Sequence, residues 1–396
     1  MASATVEGRT PRRRPVNRRD QIVVAAGRLF CERGFHNVSM ADVAAAVDIT
    51  APALYRHFRN KQDLLLQVVT STIDAIAERV AAAAVLSAYL DATAAHTVER
   101  RNAATLWQRE ARHLPEERRA ELRRSLADIA DSIAALVARE RPDLSADDTE
   151  LVAWSALSVF GSVSGHRFTL PRRKFEDLLV SLAWTAVRAP LGEAPARDQM
   201  DPPAPDRLAG LPVPRRERLL NEAIRLFDER GFQSVSTDDI GEAAEVTGPS
   251  LYRHFPSKTD LLVAAVARAG EQRRLGTSAA LAGAVDPQDG LARLLRSYVD
   301  FAWENSHLIG LVIGELGQLP PKEQREARQA QRDYLALWLH VMEQVRPGLD
   351  PTEAKIVVSA VLTVVDNAVR TGRSRHRADL PDRLVEVCTA LLLPAN

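Results

Sequence analysis

Apolar residues recur along most of this chain at intervals of three and four, the spacing that gathers them on one face of an α-helix, and no stretch alternates in the manner of a strand. Near the start, Ile22, Ala26, Leu29 and Phe30 share such a face and predict a helix over 18–33. Gly34 supplies the left-handed residue that stops it, and Phe35 packs back. Ser39 caps a short helix through 46, with Asp42 in the capping-box position that Glu or Gln more often fills. Thr50 caps a third helix, 50–58, with Pro52 in its first turn, where a missing N–H costs nothing, and Leu54 and Phe58 facing inward. Asn60 caps a fourth helix that begins at Lys61. Further periodic segments cover 85–113, 116–139, 146–168 and 173–188, then 288–307, 309–317, 322–345, 352–372 and 380–393. The fold class expected is all-α.

The opening pattern is used twice. Residues 18–63 and 215–260 align without a gap at an offset of 197, with 23 identities in 46 positions, against roughly three expected from average composition. A weaker echo continues at an offset of 205, pairing Glu110, Leu114 and Pro115 with Glu315, Leu319 and Pro320, and Arg141, Pro142 and Leu144 with Arg346, Pro347 and Leu349. Between the copies, residues 189–214 hold seven prolines and little periodicity, the composition of a semi-extended linker. The expected organisation is an arm (1–17), a head (18–65), a helical domain (66–188), the linker (189–214), a second head (215–262) and a second helical domain (263–396).

Two short helices joined by a tight turn, braced by neighbours, make a helix-turn-helix whose second member enters the major groove of duplex DNA. The exposed face of that member would carry Thr50, Ala51, Ala53, Tyr55, Arg56 and His57, with Lys61 opening the next helix where its ammonium favours phosphate. The second copy offers Thr247, Gly248, Ser250, Tyr252, Arg253, His254 and Lys258. Small residues at the N-terminal end let the helix approach base edges, and the Tyr, His and Lys at the other end suit phosphate anchoring. Aromatic packing for the tyrosines, and an ordinary surface position for the histidines, are the alternatives.

The stretches RLFCERGFHNVSMADVAAAVDITAPALYRHFRNKQDLL and RLFDERGFQSVSTDDIGEAAEVTGPSLYRHFPSKTDLL resemble the DNA-binding head of TetR/AcrR transcriptional regulators. The resemblance implies two tandem units, each a three-helix head on a helical ligand-binding and dimerisation domain, and a repressor of operator DNA released by a small-molecule effector. By the family's pattern Tyr55, His57, Lys61, Tyr252, His254 and Lys258 contact phosphate, while Thr50, Ala51, Ala53, Arg56, Thr247, Gly248, Ser250 and Arg253 lie nearest the bases. One head per subunit is the family's usual arrangement, and a tandem chain is similar to a small two-headed subgroup. The helices at 146–168 and 173–188, with 352–372 and 380–393, resemble the pair that forms the family's four-helix dimer interface. One chain would then be an intramolecular pseudo-dimer, the alternative being a homodimer with four heads.

Charge refines this picture. The chain has 52 basic and 52 acidic residues, so any surface for nucleic acid must be local. Arg9, Arg12, Arg13, Arg14, Arg18 and Arg19 supply one, beside Pro11 and Pro15, as an arm that attracts phosphate. Head 1 (18–63) has seven Lys and Arg against five Asp and Glu, and head 2 (215–260) seven against nine. Head 1 is therefore expected to supply more of the salt-dependent affinity. In the helical domains, Trp107, Glu110, Trp154, Trp303, Glu315 and Trp338 are candidate ligand contacts for a hydrophobic effector such as a lipid, sterol or acyl thioester. Core packing for the tryptophans, and pairing with Arg109 or Arg112 for the carboxylates, are the alternatives. No nucleotide fingerprint, zinc spacing or nucleophile elbow occurs, Cys31 and Cys388 are isolated, and the nine histidines are scattered. Neither catalysis nor a cofactor is expected. No apolar run approaches the ~18 residues of a bilayer span, so a cytoplasmic protein with no membrane partner is expected.

Overall fold

A computed structural model describes residues 18–101, 103–192, 214–246 and 248–393, except for the side chains at 103, 248 and 249. Arg12, Arg13 and Arg14 of the basic arm, most of the linker, and Thr247 lie outside the described residues. Within them the chain forms eighteen α-helices and no strand.

Both heads are built by the same local devices. In head 1, α1 (Arg18–Arg33), α2 (Met40–Ala46), α3 (Ala51–Tyr55) and α4 (Lys61–Ala82) follow in order. Gly34 stops α1 at φ +79°, a conformation that penalises any side chain. Ser39 and Asp42 form the reciprocal capping box, so a shorter Asp does the work of the usual Glu. The turn into α3 bends at Asp48, φ 54°, and Asn60 caps α4 by accepting the Asp63 N–H. Head 2 repeats this with α10 (Arg215–Arg230), α11 (Thr237–Ala243), α12 (Gly248–His254) and α13 (Lys258–Ala282). Gly231 at φ +81°, Ser236 with Asp239, and Glu245 at φ 54° play the same parts. The third helix of head 1 is shorter than the 50–58 expected: Thr50 sits at the N-cap without a side-chain cap bond, and Arg56 and His57 follow in a turn.

The body of unit 1 comprises α5 (Leu86–Glu99), α6 (Ala103–Thr105), a π-helical turn (Leu106–Glu110), a 3-10 turn (Ala111–His113), α7 (Glu116–Glu140), α8 (Ala146–Ser162) and α9 (Arg172–Val187). Unit 2 supplies α14 (Pro287–Glu304), α15 (Ser306–Glu315), α16 (Pro321–Val345), α17 (Pro351–Ala368) and α18 (Leu380–Leu392). The single helix expected over 85–113 is broken after α5, where Arg101 donates to Phe168 O (2.6 Å) and Ser164 Oγ accepts the Ala104 N–H. Those bonds replace helical partners with groups from the connection beyond α8. α4 and α13 run as unbroken rods from head into body, across the head boundaries drawn at 65 and 262.

Leu29, Phe30, Leu54 and Phe58 of head 1 belong to one apolar core with both bodies. Head 2 instead closes a core of its own, in which Phe227, Leu251 and Phe255 pack with Leu308 and Leu311 of α15. Between the units α8 lies along α17, and α9 meets α18. That seam is pinned by ion pairs: Arg377 to Asp148 (2.9 Å), Arg373 to Glu150 (2.9 Å) and Lys174 to Glu353 (2.7 Å). Asn367 adds a bridge, donating to Ser158 Oγ (3.1 Å) and accepting from Gln108 (3.0 Å). Among the described residues, no helix is long and apolar enough to cross a membrane.

Candidate nucleic-acid interface

On α3 the inward side chains Leu54 and Phe58 are fully buried, which turns Tyr55, Arg56 and His57 outward, Tyr55 with 53% of its surface exposed. Thr50 is exposed beside them, and Ala51 and Ala53 are half-buried. Head 2 matches this, with Leu251 and Phe255 buried, Ser250 half-buried, and Tyr252, Arg253 and His254 exposed. Among the described residues, the side chains of Tyr55, Arg56, His57, Arg253 and His254 make no hydrogen bond or ion pair. Tyr252 differs: its hydroxyl pairs with Thr237 Oγ1 (3.1 Å), whereas head 1 has buried Met40 at that place. Behind each helix an arginine of the first helix lies over the last aromatic, Arg19 over Phe58 (5.3 Å) and Arg216 over Phe255 (4.8 Å).

The two lysines are not free. Lys61 Nζ donates to Phe35 O (2.8 Å) and Val38 O (2.9 Å) and stands 4.3 Å from the centre of the Phe35 ring. Lys258 does the same with Phe232 O and Val235 O, both at 2.8 Å, over the Phe232 ring. Burial lowers both ammonium pKa values. Each lysine is a latch between α4 or α13 and the turn after the first helix, with two of its three ammonium donors taken by loop carbonyls.

The matched glutamates face the heads. Glu110 is buried and its Oε2 accepts the Phe35 N–H at 2.8 Å, while Glu315 Oε1 accepts the Phe232 N–H, also at 2.8 Å. Phe35 and Phe232 are thus held from both sides, N–H by a body carboxylate and C=O by a head lysine. Both bridge a head to its body. Burial raises the Glu110 pKa, opposed by the Phe35 N–H. The repeat of Glu-x-x-x-Leu-Pro together with Gly-Phe and Lys was the sequence signal for this clasp.

One clasp crosses the units. Arg112 of unit 1 reaches Glu315 Oε1 (3.1 Å) and donates to Gly314 O (2.8 Å), and Arg119 donates to Glu229 O at the end of α10 (2.7 Å). Head 2 is further tied at Asp228, which accepts from Arg370 of α17 (3.1 Å) and pairs with His307 Nδ1 (2.9 Å). That hydrogen bond raises the His307 pKa. In head 1 Cys31 stands at the position of Asp228, and burial pushes its thiol up to about 12. His113, packed flat against Phe35 at 5.3 Å, is pushed down to about 3 by burial and by Arg112.

The structure does not gather the tryptophan candidates into one pocket. Trp107 and Trp303 are half-buried against the core. Trp154 lies on α8 at the inter-unit seam beside Gly372, where a Cβ would come within 3.0 Å of its Nε1. Trp338 alone is fully enclosed, in a group of aromatic rings inside unit 2.

Comparison with known proteins places these heads. The family model described as "Bacterial regulatory proteins, tetR family" matches residues 22–68 and again 219–265. The chain is 33% identical over 114 residues to the HTH-type transcriptional activator FasR of Mycolicibacterium smegmatis, covering 28% of this chain and 52% of the relative. It is 41% identical over 58 residues to the HTH-type transcriptional repressor KstR of Rhodococcus jostii, covering 15% and 27%. The chain thus spans about half the length, or less, of these curated relatives. Among solved structures, a TetR-family transcriptional regulator from Bordetella parapertussis matches with a TM-score of 0.43 at 19% identity, covering 46% of this chain and 94% of that one.

Proposed function

We propose that this chain, whose two helix-turn-helix heads belong to the tetR family of bacterial regulatory proteins, is a sequence-specific transcriptional repressor that leaves operator DNA when a hydrophobic small molecule binds its body. The observation that carries this reading is the pair of third helices. Each buries its Leu and Phe and turns an exposed Tyr-Arg-His triplet outward, with small residues at the N-terminal end. Tyr55, Arg56 and His57, and Tyr252, Arg253 and His254, are the contacts with the duplex. Thr50, Ala51, Ala53, Gly248 and Ser250 stand nearest the bases, and Arg12, Arg13 and Arg14 add phosphate contacts from the arm.

The domain division follows the heads and the linker, with the head boundaries falling within the rods α4 and α13. The α8–α17 and α9–α18 packing supports a single chain acting as a pseudo-dimer over two unlike half-sites, about 34–36 Å apart in a helix-turn-helix complex. Fluorescence anisotropy with DNA from upstream of the chain's own gene tests this. Binding should weaken steeply with salt, exceed binding to a scrambled duplex, and saturate at one chain per site. Equal affinity for scrambled DNA would overturn the reading, and two chains per site would replace the pseudo-dimer with a homodimer.

A further inference from the structure

The two heads differ in how firmly their third helices are set. α12 runs Gly248–His254, so Tyr252, Arg253 and His254 all lie within regular helix, whereas α3 ends at Tyr55 and leaves Arg56 and His57 in a turn. The turn into α12 is also the closer of the two. The Val246 N–H meets Gly241 O at 2.8 Å, against 3.0 Å for the Ile49 N–H and Ala44 O in head 1. Glycine permits that approach, because a Cβ at Gly241 would stand 2.8 Å from Val246 O. Ala44, at the same place in the repeat, carries such a Cβ and holds its turn further off.

Across this contact the Tyr252 hydroxyl pairs with Thr237 Oγ1 at 3.1 Å. Thr237 is a rigid post. It opens α11, so no earlier turn of that helix offers its hydroxyl a carbonyl. The cap beside it fixes its backbone, with the Ser236 N–H donating to Asp239 Oδ2 (2.7 Å) and the Asp239 N–H to Ser236 Oγ (3.0 Å). Head 1 has the same cap but buried Met40 in place of Thr237, although Tyr55 and Tyr252 are both 53% exposed. Charge makes such a fixture more useful in head 2. The exposed Asp238 and Glu242 of α11 stand where head 1 has Ala41 and Ala45, so a phosphate finds less Coulomb attraction there. A neutral hydroxyl already in place does not depend on that attraction and loses little rotamer freedom on contact.

We infer that Thr237 is a positioning residue for Tyr252, holding its hydroxyl as a preset donor to a phosphate of duplex DNA, in head 2 and not in head 1. This deepens the DNA-binding reading and rests on it for the phosphate. Two hydroxyls hold two protons, and the bond between them uses one. A phosphate oxygen only accepts, so Thr237 gives its proton to the Tyr252 oxygen, and the proton of the more exposed tyrosine points outward. The same bond polarises the phenol and strengthens its donation.

Fluorescence anisotropy on the full chain tests this with Thr237→Val, Tyr252→Phe and the double variant. Two duplexes are used, DNA from upstream of the chain's own gene and a scrambled duplex at low salt. Each single variant should weaken binding about 3- to 10-fold, and the double variant should match the weaker single within about twofold. Thr237→Ser, which keeps a hydroxyl on the same carbon, should recover what Thr237→Val loses. That loss should be equal at low and high salt, because no charge is removed. Thermal melts confirm that every variant folds. The inference is overturned by losses that multiply in the double variant, which would make Thr237 a contact in its own right. A serine variant as weak as the valine one, or single variants that bind like the native chain, overturn it as well. Phosphate contact is blind to sequence, so the two duplexes separate the readings. Coupling on both duplexes at equal affinity refutes the sequence-specific regulator and keeps the positioning role. Preference for the upstream DNA without coupling does the reverse, and binding to neither duplex overturns both.

Discussion

Replacing Arg112 with alanine asks whether unit 1 holds the head of unit 2. Arg112 gives one guanidinium nitrogen to Gly314 O and another to Glu315 Oε1, and both side chains are nearly closed to water, 12% and 3% exposed. Its loss leaves a buried carboxylate with only the Phe232 N–H, and an unanswered carbonyl near the end of α15. Removing one member of a buried pair costs about 3–5 kcal/mol. The retained N–H, and water entering the vacated space, bring the expected loss to about 2–3 kcal/mol. Head 1 is the internal control. Glu110 accepts the Phe35 N–H at the same 2.8 Å, but its cationic partner Arg109 stands at 3.9 Å, and His113, at the same distance, is held neutral by burial. Glu315→Gln should therefore cost about 2 kcal/mol, and Glu110→Gln, which keeps the acceptor and sheds a charge that burial already disfavours, less than about 1 kcal/mol. Hydrogen exchange on the full chain reads each head separately. Peptides across the α10–α11 turn should exchange about 30- to 150-fold faster in Arg112→Ala, with those across α1–α2 unchanged. The double variant Arg112→Ala/Glu315→Gln should fall short of additivity by at least about 1 kcal/mol. Equal effects on both heads, or strict additivity, would refute the cross-unit clasp.

Four further outcomes follow from the geometry. Lys61→Met should destabilise head 1 by about 1–3 kcal/mol in denaturant melts while leaving the salt slope of operator binding unchanged; a slope smaller by about one would restore Lys61 as a phosphate contact. The double variant Tyr55→Ala/Arg56→Ala should weaken operator binding more than Tyr252→Ala/Arg253→Ala, because head 1 carries the arm and the positive balance, and equal anisotropy losses would contradict that ranking. Asp366 is held up to about 6 by burial, so the folded state favours its protonated form and stability falls as pH rises from 4 through 6; the loss should reach about 3 kcal/mol by pH 7 and vanish in Asp366→Asn. His307 has a raised pKa through Asp228, with Glu229 reinforcing and Arg225 opposing it. Its contribution is complete below its unfolded value and lost as pH climbs through the folded one, so protection at the end of α10, taken relative to intrinsic exchange rates, should fall across that rise in the native chain and not in His307→Gln.

The sequence made the local devices legible and hid the long-range ones. Gly34, Ser39 with Asp42, and Asn60 each act within a few residues, and each does what its position predicts. The outward triplet on the third helix followed from the burial of Leu54 and Phe58, which the three- and four-residue spacing dictates. The clasp was not legible in the same way, since Phe35 and Glu110 are 75 positions apart and Phe232 and Glu315 are 83. The lysine contacts were hidden for a related reason. A Lys opening a helix beside an exposed Tyr and His has the composition of a phosphate anchor, and nothing local reveals that two loop carbonyls, 26 and 23 residues earlier, converge on its ammonium. The break within 85–113 escaped as well, because the periodic pattern carries across it and only tertiary bonds from Arg101 and Ser164 interrupt the helix.

Duplication produced two similar heads, each clasped by a body glutamate at a Phe N–H, and divergence has added ion pairs from the other unit and from α17 to head 2. The positions that hold head 2 have unlike counterparts in the other unit: in unit 1, Cys31 for Asp228 and Gly165 for Arg370, and in unit 2, Gly317 for the crossing Arg112. Head 1 is instead continuous with the common apolar core. A shift of α17 acts on the two heads differently. Asp366, bonded to Tyr298 of α14, and Arg370, bonded to Asp228 of head 2, lie one turn apart on α17, so a movement of that helix bears on both bonds. Head 1 has no such bond to break. In the proposed repressor, release from DNA needs only one head unseated, because a two-headed binder owes about 10²- to 10⁴-fold of its avidity to simultaneous engagement. Loosening head 2 alone would forfeit that factor, and the remaining head would keep the affinity of a single half-site.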